Sequence, residues 1–373
     1  MVVAGEPSGD AHAAALVRVL QERADMDFFG ATGPLMRDAG VETIVNSDEL
    51  AIMGIVEVGR VFRKFLSAFR KLKSAAVERE PDAVVLVDWP EFNLRLASSL
   101  HRRGLKVIYY ISPQLWAWRP HRVKNIKRDV DLLLSILPFE VEWYKAHEVE
   151  HVEFVGHPLA GEVKARYGRE EFCRRNDLDP GRPIVSFLPG SRIKELQRIL
   201  PPMIEAIEQF GRVRPEVQSI VVVAPSRKMK EIREITSSDI KLIERQTREA
   251  LAASDAAAIA SGTATLEAAL LETPMVVVYK ESPINWHTLG RLITVPHYGL
   301  VNLVAGKEIA TELMQDDLTG ENVVKELMTL LAPETNRKMR ESLREVSLKL
   351  GEPGASQRAA EVIVKFLAAD ERG

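Results

Sequence analysis

Apolar residues in this chain gather in short unbroken runs, at 2–4, 28–30, 83–87, 107–111, 132–136 and 152–155, and stretches with apolar positions at helical spacing lie between them. Unbroken runs predict strands covered on both faces, hence a parallel sheet between two layers of helix. The pattern then pauses: residues 161–183 are charged and carry Asn176-Asp-Leu-Asp-Pro-Gly181, which reads as a turn-rich crossing. The same alternation resumes with runs at 184–188, 220–224, 256–260 and 275–279. Gly351-Glu-Pro-Gly354 breaks the helix before it, and 356–367 makes one more amphipathic helix. The expected fold class is α/β, with two doubly wound, Rossmann-like domains at 1–165 and 166–350 and a terminal helical segment at 351–373.

A length of 373 residues suits two domains of ordinary size. With 46% hydrophobic and 28% charged residues the chain can bury a core, which excludes a disordered protein. A net charge of −3 argues against a nucleic-acid partner. Cys173 stands alone, so no internal disulfide forms and a metal would find one thiolate at most. No apolar run reaches membrane-span length and the first residues lack the regions of a signal peptide, so a cytoplasmic protein is expected.

Candidate chemistry lies where the strand runs end. Ser261-Gly-Thr-Ala-Thr-Leu-Glu267 joins the 256–260 run to a helical segment, and Leu188-Pro-Gly-Ser-Arg192 does the same after 184–188. Glycine turns between strand and helix present backbone N–H groups and hydroxyls to an anion such as a phosphate. Arg192 adds a guanidinium that can fork onto a diphosphate, and Glu267 is placed to accept from sugar hydroxyls. Each motif alone equally describes a cap on a core helix; two together fall on the carboxyl edge, where open parallel sheets bind ligands. In the first half, Ala4-Gly-Glu-Pro-Ser-Gly-Asp-Ala-His12 is a third such turn, in which Gly5 and Gly9 permit close approach and Glu6, Ser8 and Asp10 supply acceptors. Two carboxylates make sugar hydroxyls a better guest there than phosphate, unless the turn only caps a helix. Asp88 ends the 83–87 run and is either a base for an attacking hydroxyl or another cap. Ser112-Pro-Gln-Leu-Trp-Ala-Trp-Arg119 sets two indoles beside polar groups, as a pocket for a sugar or acyl chain or as core.

Residues 49–73 differ in kind: Ile52, Met53, Ile55, Phe62, Phe65 and Phe69 interleave with Arg60, Arg63, Lys64, Arg70, Lys71 and Lys73. This fits contact with an anionic membrane, and it fits equally a core helix with a basic outer edge. His147-Glu-Val-Glu-His151 has zinc-protease spacing but runs straight into the 152–155 strand, so no metal site is expected. The pairs Asp25/Asp27, Asp129/Asp131 and Asp177/Asp179 lie at strand starts or in the crossing, away from the ligand edge, and are set aside as metal sites.

Eight segments in order resemble the lipid-A-disaccharide synthase family: Ala4-Gly-Glu-Pro-Ser-Gly-Asp10, Met53-Gly-Ile-Val-Glu-Val58, Ser112 to Arg119, Leu137-Pro-Phe-Glu140, Phe154-Val-Gly-His-Pro-Leu159, Leu188 to Arg192, Ser261 to Glu267 and Asn302-Leu-Val-Ala-Gly306. The resemblance implies a GT-B glycosyltransferase, two Rossmann-like domains around a cleft with the last helix returning to the first. It implies transfer of 2,3-diacylglucosamine from UDP to the 6-hydroxyl of 2,3-diacylglucosamine 1-phosphate, without cofactor or metal, by a protein peripheral on the cytoplasmic face of the inner membrane, with a homodimer admitted. By resemblance the donor contacts are Gly190, Ser191, Arg192, Ser261, Gly262, Thr263, Glu267, Asn302 and Gln315. The acceptor side takes Glu6, Ser8, Gly9, Asp10, Asn93, Gln114, Trp116, Trp118 and Arg119; the sequence does not give the groups that hold the acceptor phosphate, for which Arg119, Arg122 and Lys124 are candidates. Inversion at the anomeric carbon makes Asp88 the candidate base and Arg192 the partner of the departing diphosphate. Glu91 and Leu300-Val301 depart from the family pattern, which commonly has Asp at the first and Leu-Pro at the second. Other readings are a UDP-N-acetylglucosamine epimerase, a peptidoglycan-lipid transferase, and a non-catalytic adaptor that senses UDP-sugars and lipid; the last would dispense with Asp88.

Overall fold

The structure, a computed structural model, describes residues 1–48, 58–236, 240–283, 286 and 295–370, excluding the side chains of 58–62 and 370. The chain divides into two compact units, Met1–Pro158 with Glu352–Gly373, and Leu159–Gly351.

Among the described residues the first unit forms a seven-stranded parallel sheet, ordered β3-β2-β1-β4-β5-β6-β7. Its strands are β1 (Val2–Ala4), β2 (Phe29–Thr32), β3 (Glu42–Asn46), β4 (Val84–Val87), β5 (Val107–Tyr110), β6 (Leu132–Ser135) and β7 (Val152–Phe154). Successive side chains point to opposite faces of a strand, and the core splits accordingly. Val3, Leu86, Tyr109 and Leu133 face one helical layer, which includes Val58–Arg79 and Pro90–His101. Val2, Val85, Ile108 and Leu134 face the other, made by Pro7–Gln21 and Ala355–Asp370. That terminal helix is fastened as well as packed: Arg358 Nε donates to the Val155 carbonyl at 2.8 Å, and Arg23 pairs with Glu361.

The second unit carries a six-stranded parallel sheet, ordered β10-β9-β8-β11-β12-β13. Its strands are β8 (Ile184–Leu188), β9 (Gln218–Val223), β10 (Lys241–Glu244), β11 (Ala256–Ala260), β12 (Met275–Tyr279) and β13 (Glu312–Met314). β3, β10 and β13 are absent from the sequence reading, and all three sit at sheet edges. An edge strand is covered on fewer sides, so Glu42, Glu244 and Glu312 interrupt the apolar runs that mark interior strands.

His147 and Glu148 follow the end of the helix Pro138–Ala146, and His151 precedes β7, so the two histidines do not share a helix face.

Candidate active site

On the first unit the register of β1 against β4 pairs Ala4 with Val87, so Gly5 and Glu6 leave the sheet beside Asp88 and Trp89. Both Asp88 and Trp89 adopt left-handed backbone, φ 48° and 49°, a conformation costly for residues with a Cβ and frequent at functional sites. The turn is clamped from outside. Tyr109 Oη donates to the Asp88 carbonyl at 2.6 Å and Asn93 Nδ2 donates to it at 2.8 Å. Trp89 stacks on Phe92 and covers Gly5, where an added Cβ would lie 2.0 Å from the indole. The Asp88 carboxylate is thus carried at the carboxyl end of β4. Burial raises its pKa above the ordinary aspartate value, and the like charge of Glu6 adds to the rise, against the Trp89 backbone N–H.

Several sequence-nominated acceptor residues have structural duties. Asp10 is buried and its two oxygens accept from the N–H groups of Gly33, Leu35 and Met36, capping the helix Pro34–Asp38; its lone pairs are committed away from a ligand. Trp116 is buried, with its Nε1 donating to Glu140 at 2.8 Å and its ring edge-on to Phe139. Asn93 is buried and braces the Asp88 turn. Gly9 lies in ordinary contact distance of Asp88 Cβ and is buried. Exposed at this edge are Glu6, Ser8, Gln114 and Trp118. Arg119 lies over the Trp118 ring, 3.8 Å from its centroid, and shares Glu91 with Arg122. Burial opposes the charge of Glu91, but these arginines, with Arg95, hold its pKa below the usual range.

Sequence reasoning gave no role to Glu140, Tyr109, His12 or His157. Glu140 is fully buried and accepts from Ser112, Ser135 and Trp116, which fixes the segment bearing Trp118 and Arg119. Burial pushes the His157 pKa down to about 4, helped by the facing His12. No spacing in the sequence marks either pairing.

The membrane assignment changes too. Phe65 meets Trp89 and Phe92 edge-on at 5.5 and 5.9 Å, and Phe69 meets Phe92 at 6.0 Å. These two rings are half-buried and pack against the core, where aromatic neighbours cover part of their apolar surface. Arg63, Lys64, Leu66, Arg70 and Lys71 point outward. Ile52, Met53, Ile55 and the side chain of Phe62 lie outside the described residues.

On the second unit β8 pairs with β11, Leu188 opposite Ile259, so the Gly190 and Ser261 turns open at the same edge. Gly190 has φ 102°, and an added Cβ there would stand 2.8 Å from Glu195 Oε2. Ser191 is exposed, and the Arg192 side chain is 83% exposed and pairs with Glu195 at 3.0 Å. Ser261 Oγ donates to the Tyr298 carbonyl at 2.7 Å. The helix Ala264–Leu270 opens at Thr263 with no side-chain cap, beside Gly262. Glu267 holds Arg248 at 3.3 Å, and Arg248 also reaches the Glu162 carbonyl.

Asn302 is buried, with Nδ2 donating to Ala310 and Glu312 and Oδ1 accepting from Ile309 and Ala310. The Gln315 amide, oriented to satisfy both atoms, pairs with the Glu281 backbone at 3.0 and 3.1 Å. Tyr279, Tyr298 and Trp286 escaped the sequence reading. Tyr298 lies 6.0 Å from Tyr279 and 5.7 Å from Trp286. Burial raises the Tyr279 pKa, with Glu281 and Glu195 adding and Arg192 opposing.

A family model described as lipid-A-disaccharide synthetase matches residues 1–366. A protein of Geobacter sulfurreducens named lipid-A-disaccharide synthase is 42% identical over 372 residues, covering 98% of this chain and 97% of its own. Among solved structures, the calicheamicin glycosyltransferase CalG4 has a TM-score of 0.61 at 16% identity, with 98% of this chain and 96% of that one covered. A putative UDP-N-acetylglucosamine 2-epimerase from Listeria monocytogenes has a TM-score of 0.61 at 15% identity, with 100% and 96% covered. Likeness at such identity speaks to the fold, which is GT-B, and the fold alone does not separate transferase from epimerase. The 42% relative and the match over residues 1–366 do: this chain belongs to the lipid-A-disaccharide synthase family.

Proposed function

We propose that the protein joins UDP-2,3-diacylglucosamine to the 6-hydroxyl of 2,3-diacylglucosamine 1-phosphate, giving the β-1,6 disaccharide 1-phosphate of lipid A and UDP. The observation that carries this reading is the family match over residues 1–366. An α-linked donor giving a β product requires attack opposite the departing diphosphate, through an oxocarbenium-like state. Asp88 takes the proton of the 6-hydroxyl as that oxygen bonds to the anomeric carbon and the bond to UDP breaks. Its clamped turn and raised proton affinity support this role. Arg192 and the backbone N–H groups of the Ser261 turn receive the charge that develops on UDP, with Gly190, Ser191 and Thr263 beside them and Glu267 toward the ribose. Glu6, Ser8, Gln114, Trp118 and Arg119 hold the acceptor.

Acylated substrates stay in the bilayer, since each buried methylene contributes about 0.8 kcal/mol, so the protein works on the cytoplasmic face of the inner membrane. The outward cations of Val58–Arg79 supply the attraction to anionic lipid. No helix among the described residues is long and apolar enough to cross a membrane.

Incubation of the purified chain with both substrates tests the reading. Equal amounts of UDP and β-linked disaccharide, unchanged by EDTA, are expected; a 2-epimerised sugar, or no turnover, would overturn it.

A further inference from the structure

The second unit holds a pocket of about 430 Å³ that belongs to neither candidate edge. Pro183 and Asp255, which line it, lead into β8 and β11, so it lies where those strands begin, opposite the Ser261 and Gly190 turns. Four guanidiniums line it, those of Arg214, Arg337, Arg340 and Arg344, against one carboxylate, Asp255. Spacings of three and four residues put Arg337, Arg340 and Arg344 on one face of the helix Pro333–Lys349. Arg214 comes from the end of another helix, Ile193–Val213.

Asp255 is occupied, accepting from Arg169 at 3.0 Å and from the Ile184 N–H at 2.8 Å. Arg337, Arg344 and Arg214 have carboxylate partners in Glu334, Glu341, Glu272 and Glu216. These are largely exposed pairs, of a kind that holds a side chain weakly. Arg340 is different. It donates to neutral acceptors, Asn336 Oδ1 at 2.8 Å, the Glu272 carbonyl at 2.6 Å and the Ser254 carbonyl at 3.4 Å. Burial works against its charge, holding its pKa below the ordinary arginine value. Local charge balance explains three of the arginines as surface pairs, and the carboxylates of Asp255 and Glu272 support the charge of the half-buried fourth; it does not explain their convergence on one concavity.

We propose that this pocket binds a phosphate group on a small organic body, gripped by Arg214, Arg337, Arg340 and Arg344, at a site separate from that of the nucleotide. Guanidiniums arriving from two helices suit a tetrahedral anion with three free oxygens better than a flat carboxylate, which one fork saturates. The volume exceeds a bare ion and falls in the range of small-molecule sites. A free phosphomonoester and a lipid headgroup share this chemistry.

Calorimetric titration of the full chain with glycerol 3-phosphate tests the site, with saturating UDP present and sodium chloride at matched ionic strength as control. Flotation on phosphatidylcholine vesicles with and without phosphatidic acid runs beside it. Saturable binding is expected for the wild type, weakened about tenfold in Arg214→Gln/Arg337→Gln, whose substitutions remove charge-assisted bonds but leave the disaccharide assay unchanged. Arg340→Lys, which keeps the charge and loses the fork, should weaken binding without a large change in melting temperature. Flotation that needs phosphatidic acid and fails in the double variant assigns the headgroup; titration without such flotation assigns the soluble ester. No heat above the chloride control in the wild type, or equal binding by wild type and double variant, would overturn the proposal.

Discussion

Asp88 and Glu6 bring two acidic side chains to the end of one strand pair, and their separation in the sequence conceals this. A general base works ionised, so with Asp88 as the proposed base the acid limb of kcat/KM is expected to follow its pKa, which burial and Glu6 hold above the ordinary value of about 3.9. Glu6→Gln removes the like charge and should move that limb to lower pH, with the difference shrinking in high salt; an unmoved limb would mean Glu6 does not bear on Asp88. Residue types at strand ends were legible because strand–turn–helix spacing places them there. Their partners were not. Asp10 and Trp116 carry polar atoms that suit a ligand, yet each meets buried backbone or carboxyl groups from distant sequence, and Asn302 meets those of the turn that follows its helix.

At the scale of elements, the basic helix Val58–Arg79 divides its work between two faces. Its apolar periodicity was plain in the sequence, but which apolar stripe faces protein depends on Trp89 and Phe92, and no local pattern reports them. Replacing Arg63, Lys64, Arg70 and Lys71 with glutamine should release the protein from anionic vesicles, each cation contributing about 1 kcal/mol near such a surface. Phe65→Ser should instead lower the melting temperature while vesicle binding persists; the reverse pattern would restore the aromatic face as the lipid contact. The loop after β7 carries a second expectation. His157, with a folded pKa of about 4, stays neutral where an unfolded histidine near 6.5 takes up a proton. The unfolded chain then binds more protons, so stability should fall as pH drops from about 6.5 to about 4. His157→Gln should flatten that part of a melting-temperature profile, and an equally steep profile in the variant would count against the buried neutral imidazole.

Across the whole molecule, the interior strands and the two-sheet organisation were readable from apolar runs, and one glycine-proline break marked off the last helix, whose return to the first unit only the family resemblance implied. The edge strands β3, β10 and β13 were not, because a half-covered strand needs few apolar residues. Family membership rests on similarity along nearly the full chain, whereas the proposed chemistry rests on one carboxylate in a clamped turn. The decisive measurement is therefore turnover and UDP affinity of Asp88→Asn, taken side by side. Turnover reduced about a hundred- to ten-thousandfold with UDP affinity unchanged is expected; a variant that forms disaccharide at the wild-type rate would contradict Asp88 as the base.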